Sequence, residues 1–215
     1  MNIFAKIARK KLDGVVAPYA SEQKTLEVGA FGRPSYRRFF PNRVGVDIKA
    51  GPGVDVVASV YDLPFDDNSF DIILCLVVLE HLKEPSRAIV EMGRVLKPGG
   101  QILVSVPFLL PIHDAPDDFW RFTKYGLEIL FKDWQIEKVA AETDLGETFA
   151  VLLQRVGYQT KFYFNPVAKI IIFMLAWILS WWPKTTKHIY GDIKKSLEEP
   201  EAFTSSFFLV ARKKS

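Results

Sequence analysis

Several residues capable of proton transfer or anion recognition crowd one short segment: His113 and Asp114, then Asp117, Asp118 and Arg121. An imidazole can serve as a general base near neutral pH, carboxylates can orient it or a substrate, and a guanidinium offers a planar fork of donors. His113, Asp117 and Arg121 are the catalytic candidates, with His113 the expected base toward an oxygen nucleophile. The competing expectation is structural: the same three side chains tie a lid helix together by hydrogen bonds and ion pairs while Phe119, Trp120 and Phe122 pack it down. Upstream, Glu27, Gly29, Ala30 and Gly32 surround the end of one apolar run. Asp47 closes the next run about twenty residues on, the spacing of a carboxylate that accepts ribose hydroxyls. Glycine in such a turn lets backbone amides approach a ligand closely. His81, beside Glu80, could approach a substrate or a divalent ion, but no further donors stand at metal-ligand spacing, so no metal site is expected.

The elements that must position these residues can be read from hydrophobic patterning. Thr25–Gly29, Arg43–Ile48, Val54–Ser59, Phe70–Val77 and Gln101–Pro107 are apolar runs suited to strands of a parallel sheet buried on both faces. Leu82, Ile89, Met92, Val95 and Leu96 repeat at helical spacing until Lys97-Pro98-Gly99-Gly100, which a helix stop and tight turn explain. Strand and helix then alternate, which predicts right-handed crossovers and a doubly wound α/β sheet. A helix over Tyr125–Phe131, a strand over Trp134–Ala141 and a closing strand over Ala202–Arg212 complete the pattern. In an open sheet of this kind ligands gather at the carboxyl ends of the strands, which places the segment after Pro107 beside the reacting group.

The stretches LPFDDNSFDIIL, LEHL and EMGRVLKPGG, followed by a strand, resemble the class I S-adenosylmethionine-dependent methyltransferases, specifically the type 11 methyltransferase-like family. The resemblance covers about Leu26 to Phe131, and the closing strand also fits. It implies a Rossmann-like sheet, mostly parallel with an antiparallel last strand, and S-adenosylmethionine as cofactor. It further implies that Glu27, Gly29, Ala30 and Gly32 line the methionine part. Asp47 and Ile48 would meet the ribose and adenine, Asp62 and Leu63 the adenine edge, and Cys75, Leu76 and Val77 would flank the sulfonium. One departure stands out: the family turn usually carries glycine where this chain has Phe31. A nicotinamide-dependent dehydrogenase would carry the fuller G-x-G-x-x-G, which is missing. The HDAPDDFWRFT segment is similar to segments of methyltransferases encoded beside surface-glycan and lipid-modifying enzymes.

Composition narrows the partners. The chain of 215 residues holds 28 Lys and Arg against 25 Asp and Glu, a formal charge of +3, without the concentrated basic surface of a nucleic-acid binder. Its single cysteine, Cys75, excludes internal disulfides and suits a reducing compartment. One methyltransferase domain over 1–215 is expected, with an N-terminal amphipathic helix at 1–19 and an apolar helical insertion at 145–200. The N-terminal segment lacks the uninterrupted apolar stretch of a secretory signal; its helix either lies on an anionic membrane or packs on the domain. Residues 166–182 fall short of the approximately 20 apolar residues a spanning helix needs, and strands on either side of the insertion force it to return to the side it left. That leaves an in-plane helix, a re-entrant hairpin with Phe149–Val156 as its shorter arm, or a protein interface. Trp177, Trp181 and Trp182 near Lys184 and Lys187 match an interfacial anchor, and the competing expectation is a buried helix over the substrate site or a dimer seam. The expectation is a cytoplasmic methyltransferase, peripheral on the inner face of a membrane. It would act on a hydroxyl or amine of a small or lipid-linked acceptor such as a glycan, lipid or quinone-like molecule. The alternative is a catalytically silent methyltransferase-like subunit that recruits a partner there.

Overall fold

The computed structural model describes residues 6–32, 36–160, 166–181 and 202–214. A seven-stranded sheet carries the order β3-β2-β1-β4-β5-β7-β6. Its strands are β1 (Thr25–Val28), β2 (Arg43–Asp47), β3 (Val56–Val57), β4 (Phe70–Leu76), β5 (Leu96–Pro107), β6 (Gln135–Ala141) and β7 (Ser206–Arg212). The first five pair in parallel and β5-β7-β6 run antiparallel, so the sheet is mostly parallel as expected. β1 and β4 register Val28 against Cys75, and β1 and β2 register Val28 against Val46, which brings three strand tips to one edge. Those strands are Val-, Ile- and Leu-rich because both faces are buried: Leu26, Ile73, Leu74 and Leu103 are fully inaccessible to solvent.

Among the described residues the helices are fewer than strict alternation implies. Between β4 and β5 runs α2 (Pro85–Val95), opened by its Pro at the first position and packed through Ala88, Ile89, Met92 and Val95. α3 (Lys124–Leu130) lies between β5 and β6, capped by the Thr123 hydroxyl accepting the Gly126 amide. Among the described residues, the only helical piece between β1 and β2 is a 3₁₀ turn at Tyr36–Arg38. β3 is also shorter than its apolar run; just before it, Asp55 is held to Gly45 twice, its amide donating to the Gly45 carbonyl at 2.8 Å and its carboxylate accepting the Gly45 amide at 2.7 Å. Lys97–Gly100 does more than stop α2. Leu96 pairs with Phe70 and Gln101 with Ile72, so the four residues between them bulge out of β5, with Gly99 at φ 72°.

The chain divides into two compact units, one comprising Val16–Pro107, Ile112–Ala140 and Phe207–Ser215, the other Met1–Val15, Phe108–Pro111 and Ala141–Ser206. The first holds the sheet. In the second, α4 (Leu145–Gln159) begins with a capping box in which Asp144 and Glu147 serve each other's backbone amides. α4 packs against α5 (Pro166–Leu179), where Gly157 admits the ring of Phe173, which Tyr158 meets edge-on at 4.9 Å. α1 (Ile7–Val16) joins them: the Ile7 amide donates to Gln154 and Lys11 pairs with Glu147. The N-terminal helix is therefore docked within its own unit, and one of its lysines is spent there. Beside this bundle Thr143, Thr148, Thr204 and Ser205 form a buried hydroxyl cluster. The Thr143 hydroxyl lies 2.8 Å from that of Thr148 and 2.9 Å from that of Ser205. Along α5, Val167, Ile170, Ile171, Met174, Leu175 and Ile178 are each about half exposed or more. Among the described residues no helix is long and apolar enough to cross a membrane. The expected anchor residue Trp182 and its flanking Lys184 and Lys187 lie outside the described residues.

Candidate active site

The carboxyl ends of β1, β2 and β4 open onto a cavity of about 870 Å³. Its floor and near wall are Val28, Gly29, Phe31, Val46, Asp47, Ile48 and Ser59–Tyr61, and its far wall includes Val77, His81, Asp117 and Phe119. Gly29 sits at φ 71°, and a Cβ there would meet the Val78 side chain at 2.5 Å, so this position is closed to any other residue. Asp47 ends β2 with its two oxygens accepting the amides of Phe31 and Lys49, both at 3.1 Å. Each oxygen keeps a lone pair for a ligand hydroxyl. Phe31 lays its ring over Gly51, where any side chain would collide with it. At the tip of β4, Val77 adopts φ 56°, a left-handed conformation that strains a β-branched residue, and its amide donates to Ser105 at 2.8 Å.

Of the residues the sequence proposes for the cofactor, Gly29, Asp47, Ile48 and Val77 line this cavity. Gly32 lies in the adjoining turn at φ 62°, its amide donating to the Pro52 carbonyl. Ala30, Cys75 and Leu76 are fully buried and stand behind the wall. Glu27 is buried too, and pairs with Arg43, which also reaches Asp55 at 3.2 Å and the Gly53 carbonyl. Its carboxylate therefore anchors β2 and the β2–β3 turn beneath the cavity. Burial raises the Asp55 carboxyl, but the Gly45 amide and the Arg37 and Arg43 guanidinia outweigh it and hold the group below its ordinary range.

Asp62 and Leu63 do not reach the cavity wall; Ser59, Val60 and Tyr61 take that place. The acidic turn is held from behind by α2. Glu91 accepts the Leu63 amide at 2.8 Å, and Arg94 donates to the carbonyls of Leu63 and Phe65 and to the Asp67 carboxylate at 2.7–2.9 Å. The EMGR sequence of α2 and the LPFDD turn are thus one clamp. Arg94 bonds hold the Glu91 carboxyl below its usual range, against the opposing effect of burial.

The segment 112–122 is irregular, not a helical lid. It docks on the turn after β4: the Phe119 and Trp120 amides donate to the Glu80 carbonyl, and the Trp120 indole donates to that of Leu82 at 2.8 Å. Arg121 grips Asp118 through both nitrogens at 2.6 Å, and Asp118 also accepts the His113 amide at 2.8 Å. That grip drives the Asp118 carboxyl well below the carboxylate range, although burial opposes it, and raises Arg121. The acid that organises the catalytic candidates is therefore Asp118. Asp117, the residue expected in that role, is exposed and lends its backbone carbonyl to His81 Nδ1 at 2.6 Å. His113 is nearly buried and absent from the cavity wall, whereas His81 lines it. Glu80, His81 and His113 offer one ligand atom each within 4.8 Å of one another, a convergence that their separation along the chain conceals.

Comparison with known proteins bears on what such a cavity holds. Residues 38–104 match the family model described as a methyltransferase domain. That stretch, from the 3₁₀ turn before β2 into β5, is what this chain shares with the family. The ubiquinone/menaquinone biosynthesis C-methyltransferase UbiE of Klebsiella pneumoniae subsp. pneumoniae is 34% identical over 125 residues, covering 54% of this chain and 49% of that protein. The chain thus spans about half the length of the curated relatives it matches. The methyltransferase fold recurs in 1,6-didemethyltoxoflavin-N1-methyltransferase of Burkholderia thailandensis, solved with 1,6-didemethyltoxoflavin and S-adenosylhomocysteine. Its TM-score is 0.57 at 15% identity over 97% of this chain and 79% of that one. It recurs also in the [4+2]-cyclase SpnF, with TM-score 0.59 at 19% identity over 96% and 81% of the two chains.

Proposed function

We propose that this chain transfers the methyl group of S-adenosylmethionine to a hydroxyl of a small or lipid-linked acceptor. The observation that carries the reading is the cavity at the tips of β1, β2 and β4, where Gly29 leaves backbone room and Asp47 points a carboxylate at the position a ribose would take. Gly29, Phe31 and Val77 would border the methionine part, Asp47 and Ile48 the ribose and adenine, and Ser59–Tyr61 the adenine edge. The sulfonium supplies an electrophilic methyl group already activated by its positive charge, so the chain's own work is alignment and proton removal. His81 is better placed than His113 to receive that proton. Its Nδ1, held by the Asp117 carbonyl, keeps the hydrogen, which leaves Nε2 as the acceptor, 3.7 Å from the Glu80 carboxylate. Arg121 and Asp118 then position the segment rather than touch the acceptor. The apolar surface of α5 supports an amphiphilic acceptor presented at a membrane surface.

Calorimetry on the purified chain tests the cofactor half of this reading. S-adenosylmethionine is expected to bind, and Asp47→Ala to weaken it about thirtyfold, roughly 2 kcal/mol for charge-assisted bonds to the ribose. Unchanged affinity in that variant would remove Asp47 from the site. One observation favours a second reading, a methyltransferase-like subunit without activity: the Phe31 ring occupies the turn where the family usually has glycine. No binding of S-adenosylmethionine or S-adenosylhomocysteine to the wild-type chain would favour it.

A further inference from the structure

We infer that Glu80, His81 and His113 form a binding site for a divalent transition-metal ion of the zinc type, beside the proposed cofactor cavity and independent of whether that cavity binds S-adenosylmethionine. The Nε2 atoms of His81 and His113 both face Oε1 of Glu80, at 3.7 and 3.9 Å. Donors around a tetrahedral ion with bonds near 2.1 Å stand about 3.4 Å apart. The two Glu80 pairs need close by no more than about half an ångström, and the histidine pair, within 4.8 Å, by at most about 1.4 Å. The two rings meet edge to face at 5.1 Å, so their nitrogens converge without stacking against each other.

The surroundings of the donors match those of a metal site. A metal-ligating histidine typically engages its second nitrogen with a carbonyl or carboxylate, which fixes the tautomer. His81 Nδ1 lies 2.6 Å from the Asp117 carbonyl, and His113 Nδ1 lies 3.4 Å from the Asp118 carboxylate, itself clamped by Arg121. Arg121 Nη2, which can only donate, is also 3.4 Å from His113 Nδ1, so that nitrogen has a donor and an acceptor within reach and becomes the hydrogen-bearing one when Nε2 takes up the ion. With the ion bound, both Nε2 lone pairs point to the position beside Glu80. The Glu80 carboxylate is fully buried and the His113 ring nearly so, which distinguishes the cluster from solvated surface donors. Two imidazoles and one carboxylate suit zinc, iron or cobalt better than magnesium or calcium, which prefer all-oxygen shells. Three protein ligands leave further positions open, the arrangement of a catalytic ion. His81 borders the cavity, so an oxygen of the acceptor can reach one of them; in the metal-loaded chain the ion holds the His81 Nε2 lone pair and would itself lower the pKa of that oxygen, in place of proton removal by His81.

The full chain, stripped with a chelator and dialysed against Zn²⁺ or Co²⁺, is expected to retain one ion per molecule by mass spectrometry of the metal. Bound Co²⁺ should show visible absorption of a low-coordinate site. Glu80→Gln and His113→Gln should each lower affinity at least tenfold. Should either fail to fold by circular dichroism, His81→Gln, whose ring is partly exposed, makes the same test. Nitrogen-15 spectra of the Zn²⁺-loaded chain are expected to place the hydrogen on Nδ1 of both rings. Retention of far less than one ion by the wild type would overturn the inference, as would equal retention by a His81→Gln/His113→Gln double variant or hydrogens on both Nε2 atoms of the Zn²⁺-loaded chain. Parallel calorimetry separates the two readings, since metal can bind where the cofactor does not, and the reverse.

Discussion

At the tips of β1 and β2 the cavity wall is largely backbone: Gly29, the amides of Phe31 and Lys49 on Asp47, and a turn seated on Gly51. The segment 112–122 opposite is held by side chains, with Arg121 forked onto Asp118, Trp120 hooked to the Leu82 carbonyl and His81 tied to Asp117. A backbone wall tolerates few substitutions at a handful of positions and suits a ligand that never changes. A side-chain wall can be rebuilt one residue at a time and suits an acceptor that differs between proteins. The two also rest on different foundations, since a buried Glu27–Arg43 pair underlies the first and an Arg121–Asp118 pair at the edge of solvent secures the second.

The contrast can be broken most forcefully from beneath. Arg43→Met leaves the buried Glu27 carboxylate without its guanidinium and should cost about 3–5 kcal/mol in urea unfolding. A much smaller loss would mean that the backbone wall does not depend on this pair. Asp118→Asn should cost less, about 2–3 kcal/mol at neutral pH, because Arg121 retains some solvent. Its pH dependence sharpens the point. Asp118 has a folded pKa depressed below the ordinary carboxylate value of about 4, so its stabilisation is complete above that value. It is lost as pH falls through the depressed one, and the gap between wild type and variant should hold from pH 7 to 5 and narrow in stronger acid. The smallest effect is at the junction of the two walls. Val77→Gly relieves a left-handed β-branched residue and should raise stability by about 0.5 kcal/mol, the strain released exceeding the added chain entropy. A loss instead would show that the Val77 side chain contributes packing that outweighs its strain.

How far the sequence could be read follows the same division. The strands, α2, α3 and the residues Gly29, Asp47, Ile48 and Val77 were legible because each is encoded by neighbours within one strand-turn unit. The adenine role of Asp62 and Leu63 follows only from the family resemblance of the acidic turn. The sequence could not show that Glu91 and Arg94 hold that turn from behind, which leaves Ser59–Tyr61 to face the cavity. The choice of Asp117 over Asp118 turned on one position in a segment without periodicity, where side-chain direction cannot be inferred. The approach of His113 to Glu80 and His81 depends on how the segment after β5 folds back on the turn after β4, a tertiary fact that no local spacing carries. The one available signal was that Glu80 and His81 directly follow a strand tip.

The hydroxyl cluster of Thr143, Thr148, Thr204 and Ser205 joins the two places where the chain leaves and regains the neighbouring strands β6 and β7. Whatever lies between them is closed off like a loop tied at its neck. Its length and composition can then drift, or be exchanged wholesale for another segment, with little entropic consequence for the sheet. The apolar helices grafted there are the part of this protein most open to reinvention, and a lineage could exchange them without altering the strand tips that line the cavity.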